Sequence, residues 1–559
     1  MNTARQSVDS DSYVTGQQEP FLTTGRIGDA LREAAACWPN VEALVSVEQG
    51  VRLTWSELDT AVDNFAVGLI SMGLRSGDRV GLWAVNSAEW VIVQLATARA
   101  GMILVTINPA YRAEEFRFAM TAAGCAGLIV GPAYKNSNFA NLALEAEPNL
   151  GNFGQQEMLP AIRVAIQFGS RSIHGFVNWD DVSAAGLTYS DKAIDNIFSG
   201  FTEQSPVNIQ FTSGTTGVPK GVTLSHQNIL QNGWFTGGAL GLTERDRLCI
   251  PVPLYHCFGM VTGVLACLAR GATMVLPGPV FDAVGTLDAL ASEGCTAIYG
   301  VPTMYAAMLR SPGFANFNLQ SLRTGIMAGS ICPVDLMLDV MTRMNVEQLA
   351  ICYGMTEAPV SFQTSPADTI AERTGTVGRI QPNVEAKIIS ETGQIVERGV
   401  TGEICVRGYN AMIGYWGDPA ATAATKDERG WVHTGDLGII DANGFLHIVG
   451  RIKDMVIRGG ENLYPKEIED FLREHPEIVD VQVFGVSDRY YGEELCAWIH
   501  TEPMCSLSGD DVKAFCQGKI SHNKIPKYVR FVESFPMTVT GKVQKHVLRA
   551  LMEEELNKS

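Results

Sequence analysis

Apolar and polar positions change rhythm several times along the chain, and each change predicts a different kind of element. The stretch TWSELDTAVDNFAVGLISMG, Thr54 to Gly73, spaces its apolar residues as a helix does and gives way to DRVGLWAV, a short apolar run of strand character. EWVIVQLATARAG followed by MILVTIN repeats the exchange. Up to about residue 200 this alternation predicts an α/β fold. The same rhythm returns later, with RLCIPVP, ATMVLPG, TAIYGVP, TGIMAG and QLAICYG as successive strands, each ending in a glycine or proline corner. Parallel α/β sheets hold ligands at the carboxyl ends of their strands, so binding residues should collect at those corners.

From Thr374 to Ile448 the pattern shortens to AKIIS, GEICVRG and GFLHIVG, with turns at ETGQ and DANG, and predicts a β-rich subdomain. Beyond Lys453 it changes again. Pro465 suits the first turn of a helix carrying Ile468, Phe471 and Leu472, VDVQVFGV alternates as a strand, and Ser508 with Asp511 forms a capping-box pattern. KYVRFVES is a further strand, followed by a last helix. These shifts divide the chain into an unfolded tail over 1–20, a large N-terminal domain over 21–452 and a small, mobile α+β C-terminal domain over 453–559.

Composition narrows the partners. A net charge of -18, from 60 acidic against 42 basic residues, repels phosphate backbones and argues against nucleic acid as the main partner. The longest apolar run, Cys257 to Ala269, stops at Arg270, short of the roughly 20 residues of a membrane span, so no transmembrane segment is expected. Twelve cysteines without CxxC pairs predict reduced thiols and a cytoplasmic protein.

The segment TSGTTGVPKG, Thr212 to Gly221, lies between the strand candidates VNIQF and VTLSH and should be the loop joining them. Its amides and hydroxyls suit phosphate oxygens, and Lys220 adds charge. The Walker register is absent, because Gly214 is followed after four residues by Pro219 and Lys220 rather than by Gly-Lys-Ser. That counts against a P-loop kinase or an ADP-forming ligase. Further on come YGMTE from Tyr353, HTGDLG around Asp436, GRIKDMVIRGG from Gly450 and PMTVTGKVQK from Pro536. This ordered set, spread from about Thr24 to the last helix, resembles the adenylate-forming superfamily of acyl-CoA synthetases, aryl-CoA ligases, peptide-synthetase adenylation domains and firefly-type luciferases.

The resemblance implies a role for each motif. Thr212, Ser213, Gly214, Thr215, Thr216, Gly217 and Lys220 would close over the ATP β- and γ-phosphates. Tyr353 would lie against the adenine, Thr356 would reach the α-phosphate, and Glu357 with Thr212 would bind Mg²⁺. Read alone, Glu357 is a solvated helix-start residue. Asp436 and Arg451 match the ribose ligands. Gly329, Ser330 and Ile331 fall at the adenine-pocket segment, although AGSICP departs from the usual composition. Lys542 matches the catalytic lysine that offsets charge as a carboxylate attacks the α-phosphorus. Lys453 aligns with the hinge about which the small domain rotates, and Gly459 and Gly460 would line the pantetheine path.

His256, in PLYHCFG, matches a residue between the substrate carboxylate and the acyl pocket, while Trp234 is a pocket wall or ordinary core. Ile457 stands where plant aryl-CoA ligases carry a lysine. The activity implied is ATP-dependent ligation of a carboxylic acid to coenzyme A, releasing AMP and pyrophosphate. The apolar pocket segments favour a medium- or long-chain fatty acid; aryl and alicyclic acids suit similar walls, because one methylene is worth only about 1–3 kcal/mol in such a site. A homodimer is compatible with the sequence.

Overall fold

The computed structural model describes residues 10–20, 22, 25–135, 137–152, 154–169, 173–186, 200–212, 219–330, 332–502, 505–537 and 543–558. The chain forms two compact units: a larger one of Thr15–Glu385 with Val406–Val432, and a smaller one of Met1–Val14, Ala386–Cys405 and His433–Ser559. The boundary that composition draws at residue 453 falls inside the smaller unit.

In the larger unit the continuous apolar runs become strands covered on both faces. Ile103–Thr106 sends Leu104 into one core and Ile103 and Val105 into another. Ala297–Gly300 likewise sends Ala297 and Tyr299 one way and Ile298 the other. Side chains alternate along a strand, so only a sheet sandwiched by helices needs both sets apolar. Two such sheets are present. One has eight strands in the order Gly414–Tyr415, Lys220–Ser225, Pro206–Thr212, Ile103–Thr106, Arg79–Trp83, Gly127–Val130, Val164–Gln167 and Val177–Asn178. Its run from Pro206–Thr212 onward is parallel, and Lys220–Ser225 is antiparallel to it.

The second sheet has nine strands: Arg379–Ile380, Ala358–Gln363, Gln348–Met355, Thr324–Met327, Ala297–Gly300, Arg247–Cys249, Thr273–Leu276, Glu42–Ser46 and Val51–Thr54. From Gln348–Met355 to Glu42–Ser46 its pairing is parallel. A shared core joins side chains of both sheets to those of helices Trp55–Ser71, Ala88–Arg99 and His226–Ala239. In Ala88–Arg99 every residue but Glu89 is buried, which explains why it is apolar all round rather than on one stripe. Its terminal Arg99, 3% exposed, is neutralised by Asp59 and Asp63.

The smaller unit holds a sheet in the order Tyr13–Thr15, Val384–Ile389, Gly402–Gly408, Val432–Ile440 and Leu446–Arg451, with the expected ETGQ and DANG turns closed by Ser390 N–H to Gln394 O and Asp441 N–H to Phe445 O, at 2.8 and 3.0 Å. Strand Tyr13–Thr15 corrects the expectation of an unfolded tail over 1–20 for its described part, 10–20; residues 1–9 lie outside the described residues. The Ser12 and Ile388 backbones share a hydrogen bond of 2.9 Å, and Ser12 also donates to Val396 O. Backbone pairing orders this polar segment without help from an apolar pattern.

A second sheet orders Glu461–Leu463, Val456–Arg458, Gly492–Thr501 and Ile478–Asp488, with Tyr528–Phe531 also on Gly492–Thr501. Helices Pro465–Leu472 and Gly509–Cys516 cover one core, and Lys545–Lys558 packs Leu548 and Met552 against Phe484 and Trp498. Ser508 and Asp511 form the expected capping box. Among the described residues no helix is long and apolar enough to cross a membrane.

Candidate active site

The strands flanking the hydroxyl-rich loop, Pro206–Thr212 and Lys220–Ser225, are antiparallel neighbours with Thr212 opposite Lys220. Both flanking patterns are therefore strands, as predicted. Ser213, Gly214, Thr215, Thr216 and Gly217 lie outside the described residues. Lys220 is half-buried and places its ammonium 5.1 Å over the ring of Tyr415. Tyr415 sits on the neighbouring strand opposite Val222, and its hydroxyl donates to Glu357 Oε1 at 2.8 Å. Burial, and next the Glu357 charge, push its phenol pKa up, so it stays protonated and keeps donating.

Glu357 and Thr356 form the two-residue turn between Gln348–Met355 and Ala358–Gln363, where Met355 pairs with Ala358. Each is only 7% exposed, which corrects the reading of Glu357 as a solvated helix-start residue. Its backbone carbonyl accepts the Met412 N–H at 2.8 Å. The hairpin is irregular between Tyr353 and Met355, and a Cβ on Gly354 would come within 2.7 Å of Val360 N. Close backbone approach thus demands the glycine of YGMTE. Tyr353 is half-buried opposite Phe362, ring centroids 6.4 Å apart. Gly329 and Ser330 are exposed just past the carboxyl end of Thr324–Met327, and Gly329 takes a left-handed φ of +94°. Ile331 lies outside the described residues.

His256 is half-buried and precedes Phe258–Leu265, which is wound as a π-helix. Its Nδ1 accepts the Phe258 N–H at 3.2 Å, which in the neutral ring leaves the proton on Nε2. Phe258 stacks on Tyr299 at 5.6 Å. The buried hydroxyls of Tyr255 and Tyr299 have no hydrogen-bond partner among the described residues, and burial raises both phenol pKa values. Trp234 packs instead with Leu22, Phe235, Ile380, Val384 and Tyr409, and Arg270 caps its ring at 4.1 Å while donating to its carbonyl at 2.6 Å. That packing is the core reading of Trp234.

In the smaller unit, Asp436 and Arg451 face each other across antiparallel strands, with Arg451 Nε 2.9 Å from Asp436 Oδ1. Asp436 is 6% exposed, whereas the Arg451 side chain is about half exposed, so the carboxylate is the fixed partner. Lys453 is exposed in the short turn Ile452–Asp454. Gly459 and Gly460 join Val456–Arg458 to Glu461–Leu463, with φ of +61° and +88°. A two-residue turn with both φ positive favours glycine or asparagine on backbone grounds alone. Ile457 is 50% exposed beside it. Lys542 lies outside the described residues; nearby, Lys545 Nζ is bonded to the buried Glu469 at 2.7 Å.

Sequence reasoning missed Tyr415. The signal was there, a tyrosine opening YWGDPAAT at the end of an edge strand, but only the fold shows that it touches both Lys220 and Glu357.

Lys220 thus meets, through Tyr415, the buried carboxylate of Glu357, an arrangement compatible with the expected adenylate-forming class. The chain belongs to the AMP-binding enzyme family: that family's model matches residues 31–416, and the AMP-binding enzyme C-terminal domain matches 467–542. It is 42% identical to the medium-chain acyl-CoA ligase ACSF2, mitochondrial, of Rattus norvegicus, over 98% of this chain and 90% of the relative. It is 43% identical to the putative acyl-CoA synthetase YngI of Bacillus subtilis (strain 168), over 96% of this chain and 99% of that one. Among solved structures it resembles the anthranilate CoA ligase AuaEII in complex with anthranoyl-AMP, with a TM-score of 0.84, 25% identity, and 96% and 98% of the two chains covered. ATP-bound MatB from Rhodopseudomonas palustris gives a TM-score of 0.81 at 28% identity, covering 94% and 99%. The protein is accordingly an AMP-forming acid–CoA ligase that uses ATP and CoA.

Proposed function

We propose that the chain activates a medium-chain fatty acid through an acyl-adenylate to its CoA thioester. The observation that carries this is the 42% identity to a medium-chain acyl-CoA ligase over 98% of the chain. The apolar surroundings of His256, namely Tyr255, Phe258 and Tyr299, support it.

In the first half-reaction a substrate carboxylate oxygen bonds to the α-phosphorus, the bond from that phosphorus to the bridging oxygen breaks, and pyrophosphate leaves with the electron pair. In the second, a CoA thiolate attacks the acyl carbon and AMP departs. Lys220 and the loop before it bind the β- and γ-phosphates, Thr356 the α-phosphate, Tyr353 the adenine, and Asp436 with Arg451 the ribose. His256 offers its Nε2 proton toward the substrate carboxylate, and Lys542 offsets the charge that spreads at phosphorus. Glu357 and Thr212 supply hard oxygen donors that fit Mg²⁺, and a buried carboxylate is well suited to such an ion. Bound there, the cation would neutralise charge on the departing pyrophosphate. A cytoplasmic setting belongs to the same proposal, supported by twelve free cysteines.

The test is turnover with ATP, Mg²⁺, CoA and a panel of fatty, aryl and alicyclic acids, reading AMP, pyrophosphate and acyl-CoA. The expected result is the highest kcat/KM on medium-chain fatty acids. A preference for aryl or alicyclic acids would overturn the substrate assignment.

A further inference from the structure

Glu403, on strand Gly402–Gly408, reaches the segment of strand Val432–Ile440 that carries Asp436. Its Oε1 accepts the Gly435 N–H at 3.1 Å, and its Oε2 lies 3.0 Å from His433 Nδ1. Cys405 Sγ approaches the same nitrogen at 3.6 Å. Carboxylate, thiol and imidazole therefore form the one such His/Cys/Glu cluster among the described residues, and they are engaged with one another. Thr434 ties this strand segment a second time, its hydroxyl donating to Ile404 O at 2.8 Å and accepting the Asp436 N–H at 3.1 Å.

This irregular stretch of strand needs these ties. Gly435 sits at φ +70°, and the strand pairing is irregular between Leu437 and Gly438, just beyond Asp436. Glycine is the residue that most readily leaves such a conformation, and a bulge re-aims the side chains around it. A charge-assisted bond from the Gly435 amide to a carboxylate holds the peptide that sets the direction of the next side chain.

We infer that Glu403 is a positioning residue for the nucleotide: by holding the Gly435 amide and the His433 ring it fixes Asp436 in the orientation that receives two ribose hydroxyls. This deepens the reading of Asp436 as a ribose ligand and rests on it. His433 is the intermediate support, locked by its Nδ1 contact.

The experiment compares ATP with 2′,3′-dideoxy-ATP in the full-length enzyme, reading pyrophosphate release for the wild type, Asp436→Ala, Glu403→Ala, Glu403→Gln and the Glu403→Ala/Asp436→Ala double variant. Glu403→Ala should raise KM for ATP about tenfold, leave KM for the acid unchanged, and reduce the preference for ATP over the dideoxy analogue by a similar factor. Glutamine still accepts the Gly435 N–H and can donate to the imidazole, so Glu403→Gln should recover most of that loss. In the Asp436→Ala background, removing Glu403 should change the preference no further. A preference unchanged by Glu403→Ala but lost in Asp436→Ala would overturn the role of Glu403. A preference unchanged by Asp436→Ala would overturn the ribose reading itself. Should Glu403→Ala fail to fold, Glu403→Asp carries the test: its carboxylate stands one methylene short of the Gly435 amide and the His433 ring, so a measurable fall in preference is expected and an unchanged one would overturn the proposal.

Discussion

The contact between Tyr415 and Glu357 joins a neutral donor to a buried carboxylate at the end of the loop strands, where Lys220 also rests on the ring. A hydrogen bond to a charged group contributes about 1.5–3 kcal/mol. Tyr415→Phe keeps the ring and removes only the hydroxyl. It should lower kcat/KM for adenylate formation by about tenfold or more, at 1.4 kcal/mol per tenfold, and cost about 1.5–3 kcal/mol of stability because the buried carboxylate loses a donor; pyrophosphate release and a melting curve check both. Lys542→Ala should nearly abolish adenylate formation yet spare thioester formation from supplied acyl-adenylate. Equal loss in both half-reactions, measured separately, would sink the assignment of separate tasks to one cleft. The burial of Glu357 and its contact with Tyr415 are not legible in the sequence, although the motif that carries Glu357 is. Motifs record chain neighbours, and Tyr415 meets Glu357 only through tertiary packing, since its own strand pairs with Lys220–Ser225 while Glu357 sits in a hairpin of the other large sheet.

At the scale of elements, local pattern is read well where one physical cause dominates. The capping box at Ser508, Pro465 in a first helical turn and the run of parallel strands all form as their sequences predict. Strand Tyr13–Thr15 is invisible beforehand because its order comes from backbone pairing. The Gly459–Gly460 turn was read through a ligand, but its φ values give a sufficient local reason. Gly460 has open space for a Cβ, so Gly460→Asn should cost little and Gly460→Val about 1–3 kcal/mol, measured by denaturant unfolding.

Helix His226–Ala239 gives a pH-dependent prediction. His226 is fully buried, accepts the Ile27 N–H at 3.3 Å, and is held down to about 3, chiefly by burial and next by the Arg26 charge. The unfolded histidine titrates near 6.5. Below that pH the unfolded chain binds a proton that the folded one refuses, so stability falls as pH drops from about 6.5 toward 3, by up to about 1.4 kcal/mol per pH unit. His226→Gln keeps the acceptor and removes the titration. Its unfolding free energy should depend less steeply on pH in that window, and an identical slope would refute the argument.

For the whole molecule, the cores are separate. One set joins the two large sheets and their helices, and another lies among residues 456–552. Chains with distinct cores do not unfold as one two-state body. Calorimetry should resolve two transitions, and Leu495→Ala, at a fully buried position of the smaller unit, should lower only one of them, by about 2–5 kcal/mol. A single transition that shifts as a whole would show that the cores melt together. The change of pattern beyond Lys453 is legible in the sequence; where the compact units divide is not, because the strands of 386–405 and 433–451 group by contact rather than by chain order.

The hairpin that carries Thr356 and Glu357 has one more consequence, for how such a gene can vary. Its turn has only two residues, with Met355 paired to Ala358 and Tyr353 to Phe362. A codon inserted or deleted between those strands would slip the pairing and turn side chains to the opposite face. Variation in chain length among descendants of this gene should therefore be excluded from that short interval and tolerated in surface turns such as Ser390–Gln394.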